Sequence, residues 1–261
     1  MFEKELEAMI EASLKAKKVI MEIYNTHFDV EIKSDNSPVT QADKAADKLI
    51  KEYLQERFPD YGFLTEESED NLERLNKEYI FVVDPVDGTK DFVIRDGMFT
   101  TNVGLIHNHE VVAGVVTIPC QDEYYYASKG NGSFYVKEGN EPVRIHVTKN
   151  KTNLKMLTSC FHIGEKELEV FKKHPHNIVQ LNKVGSAIKF CLIARGEADV
   201  MFRYGEGTKE WDTAAGQIVV EEAGGVFIHY DKSPITYNKV DVYHHDGYAI
   251  LNDIDNLYIL D

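Results

Sequence analysis

Apolar residues near the start of the chain recur at helical spacing. The first predicted helix has an apolar face formed by Leu6, Met9, Ile10, Leu14, Ile20, Met21 and Tyr24, with its charged residues outward. A polar break at residues 33–38 separates it from a second helix, which ends before Pro59. The face of that second helix consists of Ala42, Ala45, Ala46, Leu49, Ile50, Tyr53 and Leu54.

Strand patterns dominate the next part of the chain. The apolar run at residues 79–83 predicts a buried strand that leads directly into Asp84. Two apolar stretches, residues 101–106 and 111–118, flank a polar turn and predict an antiparallel hairpin. Further short strands are expected up to about Val147.

Strand and helix alternate in the second half of the chain. Strands are predicted at residues 154–159 and 199–202, and helices at 165–173, 186–195 and 213–223. This change of pattern predicts a boundary between two lobes near residue 150. No linker-like composition marks the boundary between them.

Composition and charge narrow the classes of function. The chain has 261 residues, of which 43% are hydrophobic, so it can bury a substantial core. Its formal net charge is −15 without any Lys/Arg-rich run, so we expect neither a nucleic-acid polymer nor an anionic membrane as a partner. The N-terminus lacks the pattern of a signal peptide, which favours a cytoplasmic protein. Cys120, Cys160 and Cys191 are widely spaced and are interpreted as reduced core residues.

Three acidic motifs are the candidates for chemistry. They are the pair Glu66-Glu67, the sequence DPVDGT at residues 84–89, and WDTAAG at residues 211–216. Two carboxylates about 4 Å apart repel by roughly 4 kcal/mol at an effective dielectric near 20, so such a cluster requires cations. An all-oxygen ligand set suits Mg²⁺ or Mn²⁺ rather than zinc. Hydrolysis of a phosphate ester is therefore the leading hypothesis.

The residues after Asp87 suggest how phosphate and water would be handled. Gly88 allows a close approach of the backbone, and the amides of Gly88, Thr89 and Lys90 would offer an anion site. The Thr89 hydroxyl would relay a proton from the attacking water to a carboxylate, for which Asp43 is the candidate.

Each of these residues also has a local structural explanation. Asp43 follows Thr40 by three positions and would complete a capping box, whereas Asp212 would be an ordinary N-cap. Residues 66–70 would form a solvated acidic loop. Asp84 and Asp87 favour the functional interpretation, because two acids at the end of an apolar strand leave charge near the core.

The three motifs, in this order and spacing, resemble those of the magnesium-dependent, lithium-sensitive phosphatases of the inositol monophosphatase superfamily. The resemblance covers about residues 5–252 and implies an α/β layered sandwich (α/β/α/β/α) of the sugar-phosphatase type. The implied sandwich consists of an α+β lobe over residues 1–150 and an α/β lobe over residues 151–261. It implies two or three Mg²⁺ per site, with Mn²⁺ as a substitute and Li⁺ as an inhibitor. The implied metal ligands are the side chains of Glu66, Asp84, Asp87 and Asp212 and the carbonyl of Val86. Thr89 with Asp43 would activate the water, and Glu67 would support that water or a further metal.

Within this superfamily the chain is most similar to the 3′(2′),5′-bisphosphate nucleotidases. The similar segments are GTKDF at residues 88–92, GSAIKFC at 185–191 and KEWDT at 209–213. The resemblance implies removal of the 3′-phosphate of adenosine 3′,5′-bisphosphate by a monomer or homodimer. The implied substrate-binding residues are Gly88, Thr89, Lys90, Ser186, Lys189, Lys209 and Asp212.

Two departures from that branch leave other readings open. Asp91 replaces the usual Glu, and residues 243–248 stand where relatives often carry an Asn-Pro segment. Lys189 and Lys209 also have simple alternatives, as a helix-surface charge and a solvated loop residue. An inositol or sugar monophosphatase therefore stays a candidate, as does a catalytically silent module that binds metal and phosphate.

Overall fold

Two sheets organise the computed structural model of the protein, which describes residues 2–33, 38–205 and 207–260. The seven-stranded sheet follows a short antiparallel ribbon of β1 (Val30–Ile32) and β2 (Pro38–Thr40). Its strands are β3 (Gly62–Thr65), β4 (Tyr79–Asp87), β5 (Thr100–His107), β6 (Glu110–Ile118), β7 (Glu123–Ser128), β8 (Gly132–Lys137) and β9 (Val143–Ile145). They lie side by side in chain order, and only the β3–β4 pair is parallel.

The second sheet has five strands in the order β11-β10-β12-β14-β13. Their bounds are β10 (Leu154–Thr158), β11 (Ile178–Lys183), β12 (Val200–Arg203), β13 (Val226–Ile228) and β14 (Tyr248–Leu251). The β10 strand is parallel to β11 and β12, whereas β14 is antiparallel to its neighbours.

The first two predicted helices form the outer layer on the seven-stranded sheet. They are α1 (Glu3–Tyr24) and α2 (Gln41–Arg57), and their apolar faces share one core with strands β4 to β6. The short helix α3 (Thr89–Ile94) follows β4, and its Phe92 belongs to the same core. The prediction of both helices is confirmed. Of the predicted break between them, residues 34–37 lie outside the described residues.

A middle layer of helices separates the two sheets. It contains α5 (Ile188–Ala194) and α6 (Glu210–Glu222), whose residues join one core with both sheets. The α6 helix lies very close to β5 and β6, because a Cβ placed on Gly114 would come within 2.5 Å of Ile218. Similarly, a Cβ on Gly104 would come within 2.9 Å of Ala214. The small residues after Asp212 therefore allow the helix to pack close to the sheet.

The third helical layer covers the outer face of the five-stranded sheet. It consists of α4 (Glu165–Lys173) and the 3-10 helix Ile254–Leu260, and it shares a third core with strands β10 to β12 and β14. The order helix, sheet, helix, sheet, helix confirms the predicted layered sandwich. The predicted lobe boundary at residue 150 falls between the two sheets and stays a prediction, since α5 and α6 contact both.

Several element boundaries differ from the sequence prediction. Helix α5 begins at Ile188, not Ser186, because Ser186 has a φ of 47° and cannot continue a right-handed helix. Helix α6 begins at Glu210, before the predicted start at Thr213. Strand β11 was missed because its residues are mostly partly exposed and show no apolar alternation. Among the described residues, the helices include none with the length and apolarity needed to cross a bilayer.

Candidate active site

The end of strand β4 brings two acidic side chains to one place. Asp84 pairs with Asn102 and Asp87 with Thr100, so the ladder contains a bulge between the two acids. In a regular strand, residues three apart point to opposite faces, and the extra residue changes that alternation. Thr101 Oγ1 donates a 2.9 Å hydrogen bond to the Pro85 carbonyl inside the bulge, which holds the distorted backbone in position.

The start of α6 places a third carboxylate beside them. Carboxylate oxygens of Asp84, Asp87 and Asp212 all lie within 4.8 Å of one another. Asp212 is the third residue of α6, and its Oδ2 accepts a 2.7 Å hydrogen bond from the backbone amide of Lys209. The N-cap is Lys209, so the local interpretation of Asp212 as the N-cap is wrong.

The proximity of these acids makes each of them harder to ionise. The pKa of Asp84 lies well above its usual range, first because it is buried and then because of the charges of Glu66, Asp87 and Asp212. Loss of hydration, followed by repulsion from Asp87, raises the pKa of Asp212 to about 8. A compact group of carboxylates with raised pKa values and only oxygen donors fits a hard divalent cation such as Mg²⁺.

Hydrogen bonds hold Asp87 in a defined orientation. Its Oδ2 accepts from the Ala187 amide at 2.7 Å, from the Asn102 amide group at 3.2 Å and from the Thr100 hydroxyl at 3.3 Å. Desolvation raises the pKa of Asp87, and the nearby Lys189 charge opposes that effect. This carboxylate therefore connects strand β4 with the loop that precedes α5.

Glu66 and Glu67 lie at the edge of the acidic group. Lys33 Nζ is 3.0 Å from Glu66 Oε1 and also contacts Glu67 Oε1. The side chain of Glu67 is only 7% exposed, and burial raises its pKa to about 7 against the opposing effect of Lys33. The interpretation of residues 66–70 as a solvated loop is therefore wrong for Glu67.

Asp43 completes the predicted capping box and also contacts Thr89, whereas its role in proton relay stays a prediction. Its Oδ2 accepts from the Thr40 amide at 2.8 Å, which completes the capping box of α2. Its Oδ1 lies 3.0 Å from Thr89 Oγ1, the partner expected for proton relay. Burial raises the pKa of Asp43, although the hydrogen bonds from Thr40 and Thr89 oppose the shift. Val86 O lies 3.2 Å from the same Thr89 hydroxyl.

A cleft of about 340 Å³ opens over the three aspartates, within the size range of ligand sites. Lys90, Ser186 and Lys189 line it together with Gly88, Thr89, Glu66 and Val86. Lys189 is buried, and its Nζ donates to the carbonyls of Ser186 at 2.5 Å and Val184 at 3.1 Å. The interpretation of Lys189 as a helix-surface charge is therefore wrong.

Ser186 combines two unusual features in the cleft wall. Its backbone has a left-handed φ of 47°, a conformation that is uncommon for serine. Its Oγ is buried and has no hydrogen-bond partner among the described residues. A buried donor without a partner costs free energy, and strain of this kind often marks a functional position.

Two basic residues of this cleft, His162 and Arg203, were not predicted from the sequence. Desolvation and then the positive charges of Lys90, Arg203 and Lys189 lower the pKa of His162. This wall is therefore locally positive in a protein of net charge −15. No local motif contains His162, and Arg203 ends an apolar strand, so the sequence offered no signal for either residue.

Lys209 and the divergent segment 243–248 lie mostly beside the cleft. The residues that line the cleft in the described part of the chain do not include Lys209, and its ammonium group lies 5.1 Å from the Trp211 ring and 5.4 Å from the Tyr243 ring. A substrate-binding role for Lys209 stays a prediction. Lys209 also pairs with Tyr243 in an isolated bridge, and Tyr248 is the residue of segment 243–248 that lines the cleft.

Comparisons with known proteins agree with this geometry. The 3′(2′),5′-bisphosphate nucleotidase CysQ of Escherichia coli strain K12 is 32% identical over 248 residues, which are 94% of this chain and 98% of that protein. The CysQ protein of Buchnera aphidicola is 35% identical over 225 residues, which are 85% of this chain and 83% of the relative.

Solved structures give the same result. A crystal structure of CysQ from Bacteroides thetaiotaomicron, described as a bacterial member of the inositol monophosphatase family, matches with a TM-score of 0.84. The two chains are 31% identical, and the match covers 96% of this chain and 97% of the other. The sequence profile of the inositol monophosphatase family matches residues 2–252. This chain therefore belongs to the inositol monophosphatase family.

Proposed function

We propose that this protein is a magnesium-dependent phosphomonoesterase that removes the 3′-phosphate of adenosine 3′,5′-bisphosphate, leaving AMP and phosphate. The observation that carries the proposal is one cleft lined by two kinds of charged group. The first is the group of Asp84, Asp87 and Asp212, which would bind phosphate through cations, and the second contains the basic residues Lys189 and Arg203. A substrate with two phosphates would use both. The relatives named 3′(2′),5′-bisphosphate nucleotidase support the same substrate class.

The metal ligands in this proposal are those that the motifs suggested. Glu66, Asp84, Asp87 and Asp212 would hold two or three Mg²⁺ with the carbonyl of Val86. Bound magnesium supplies positive charge for the phosphoryl oxygens and acidity for the attacking water. By family resemblance, Mn²⁺ would substitute for Mg²⁺ and Li⁺ would inhibit.

Protons are handled by the chain's own residues. Thr89 Oγ1 donates to Asp43, so its lone pairs are free to accept a proton from water. Burial raises the pKa of Asp43 and makes it a stronger base than a solvated aspartate. Glu67 lies near the same end of the site and would orient the water.

Recognition of the two phosphates is assigned to donors and basic groups that line the cleft. Burial lowers the pKa of Lys189 and the nearby Asp87 opposes that shift, so Lys189 would supply positive charge, and the unpartnered Ser186 hydroxyl would supply a donor. Lys90 Nζ lies 3.5 Å from His162 Nε2 at the same wall. Amides of Gly88, Thr89 and Lys90 would contact the phosphate that is cleaved. We also keep, as part of this proposal, the expectation of a cytoplasmic monomer or homodimer.

The test is phosphate release from adenosine 3′,5′-bisphosphate, AMP and inositol 1-phosphate, each with Mg²⁺ and with EDTA. We expect rapid release from the bisphosphate with Mg²⁺, little from AMP, and none with EDTA. The Asp87→Asn variant serves as the inactive control. Equal rates on the bisphosphate and AMP would contradict the assigned substrate.

A second candidate is an inositol or sugar monophosphatase. The family match and the shared acidic group favour it, because these features require only one phosphate. Faster release from inositol 1-phosphate than from the nucleotide would establish this alternative. Hydrolysis of any of the three substrates would exclude a catalytically silent module.

A further inference from the structure

Phe161 is an exposed aromatic residue in the wall of the cleft. Its side chain is 45% exposed, whereas Phe190, Met201 and Tyr248, which line the same cleft, are buried. None of the rings in the described residues stacks on that of Phe161. The cleft therefore offers an apolar ring face that a ligand can cover.

The segment around Phe161 is attached to the fold on both sides of it. The His162 amide donates to Ser159 Oγ at 3.2 Å, and the Arg203 guanidinium donates to the His162 carbonyl. Cys160 Sγ lies 3.9 Å from Met98 Sδ. These contacts fix the backbone next to Phe161 and leave its ring in solvent, so covering the ring requires little ordering of the chain.

The neighbours of Phe161 indicate which part of a ligand reaches it. The acidic group and the basic residues Lys189 and Arg203 account for two phosphates, as proposed above. The parts of a nucleoside bisphosphate that remain are the ribose and a flat base, and a base stacks well on an aromatic ring. Inositol, in contrast, presents hydroxyl groups around its ring and has no flat π face.

We propose that the ring of Phe161 stacks on the nucleobase of the substrate and so selects nucleoside bisphosphates over phosphorylated polyols. This inference rests on the proposed function, and it assigns base recognition to the loop after β10. The divergent segment 243–248 then has a different role, because only Tyr248 of that segment lines the cleft among the described residues.

The test compares two bisphosphates that differ only in the base. They are adenosine 3′,5′-bisphosphate and 1-deoxyribose 3,5-bisphosphate, the same sugar without the base. In Phe161→Ala, we expect KM for the nucleotide to rise roughly 5- to 150-fold, the range for loss of one base–aromatic stack. We expect an unchanged kcat and an unchanged KM for the abasic substrate, because the ring takes no part in the reaction. Phe161→Tyr, which keeps the ring, should behave like the wild type.

An equal rise of KM for both substrates, or no rise for either, would overturn the stacking role. If the wild type uses the nucleotide no better than the abasic compound, the inference fails although the proposed function stands. A preference of the wild type for inositol 1-phosphate over both would overturn the proposed function and this inference together.

A binding measurement gives a readout that is independent of turnover. Phe161→Trp places an indole at this exposed position, and the native Trp211 is only 9% exposed. We expect AMP to quench the added fluorescence, since stacking brings the base onto the indole, while ribose 5-phosphate leaves it unchanged. The wild type with AMP corrects for any change at Trp211. Equal quenching by both ligands would contradict a contact with the base.

Discussion

The two walls of the cleft are built in different ways. The acidic wall comes from regular structure, the bulged end of β4 and the first turn of α6, and hydrogen bonds fix Asp87 and Asp212 there. The opposite wall comes from the loops around His162 and Ser186 and from the end of β12 at Arg203. This wall contains the basic residues His162, Lys189 and Arg203 together with Phe161, which is 45% exposed.

This difference suggests that the acidic wall determines the type of reaction and the opposite wall determines which substrate is used. Clustered carboxylates repel one another, so they stay together only where a rigid sheet and helix hold them. A loop tolerates replacement more readily than a packed element. We therefore expect changes in the acidic wall to stop the reaction and changes in the opposite wall to alter which phosphate ester is used.

Asp87→Asn breaks the acidic wall, and we expect the largest effect from it. The substitution keeps the size of the side chain but removes a negative charge from the proposed metal site. Loss of an outer partner of a metal ligand already costs about 10- to 100-fold in metal affinity or activity, so kcat should fall by more than about 100-fold. Phosphate release at saturating Mg²⁺ measures this effect.

The control for that variant is Glu56→Gln, which changes an exposed acid remote from the cleft. The circular dichroism spectrum of Asp87→Asn should match that of the wild type. Its Tm in EDTA should be equal or higher, because the substitution removes repulsion between carboxylates. Activity near the wild-type level would refute the role of Asp87 in this wall.

Lys189→Ala tests the opposite wall. Hydrogen bonds to charged groups contribute about 1.5–3 kcal/mol, so KM for adenosine 3′,5′-bisphosphate should rise by about 10- to 150-fold. KM for a monophosphate should change much less, since it lacks the second phosphate. Steady-state kinetics on both substrates measures the ratio, with the exposed Lys48→Ala as the matched control. Equal losses on both substrates would show that Lys189 only holds its loop together.

The acidic wall also predicts how stability depends on pH. Carboxyl groups with raised pKa values, such as Asp212 at about 8 and Glu67 at about 7, bind protons more tightly in the folded state than in the unfolded state. In EDTA, stability should therefore increase as the pH falls from about 8 toward about 5. Mg²⁺ should stabilise the protein most at pH 8, because it replaces the protons, and progressively less toward pH 5.

Thermal unfolding at several pH values, with EDTA and with Mg²⁺, tests this prediction. Because the whole protein is acidic, Asp212→Asn is the control that isolates the site, and its Tm in EDTA should depend less steeply on pH. A Tm in EDTA that decreases between pH 8 and pH 6 would contradict the expected protonation.

His244→Ala tests the support behind the acidic wall and should have the smallest effect. His244 is buried, and its Nε2 lies 2.9 Å from the hydroxyl of Thr213, next to Asp212. Desolvation lowers the pKa of His244 to about 3, so the ring stays neutral. Loss of the ring leaves a cavity and one fewer hydrogen bond, and the free energy of unfolding should decrease by about 1–3 kcal/mol.

Urea unfolding measures that decrease, and steady-state kinetics should show a modest loss of kcat with an unchanged KM ratio between bisphosphate and monophosphate. His245→Ala, which removes an exposed neighbour, is the control. A change in the KM ratio would show that segment 243–248 takes part in substrate recognition and does not only support the acidic wall.

The predictions from sequence succeeded where a single helix or hairpin has a clear pattern of apolar and polar residues. Helices α1, α2 and α4 each have a periodic pattern, and the β5–β6 hairpin has two apolar runs around a polar turn. They failed where contacts with other parts of the fold determine the local conformation. Strand β11 lies at a sheet edge without an apolar pattern, and Ser186 interrupts a helical pattern through a positive φ that serine seldom adopts.

By itself, the sequence located the acidic residues, because charges after an apolar strand and small residues after Asp212 are local features of the chain. The layered fold was expected from the resemblance of three motifs to a known family, not from any single local pattern. Only the tertiary structure decided that His162, Lys189 and Arg203 line one cleft with those acids. Their positions depend on how α6 packs between the two sheets. Close contacts such as that between Gly104 and Ala214 determine this packing. Many packing contacts between distant segments bring these residues together, and the pattern of any one short segment does not show those contacts.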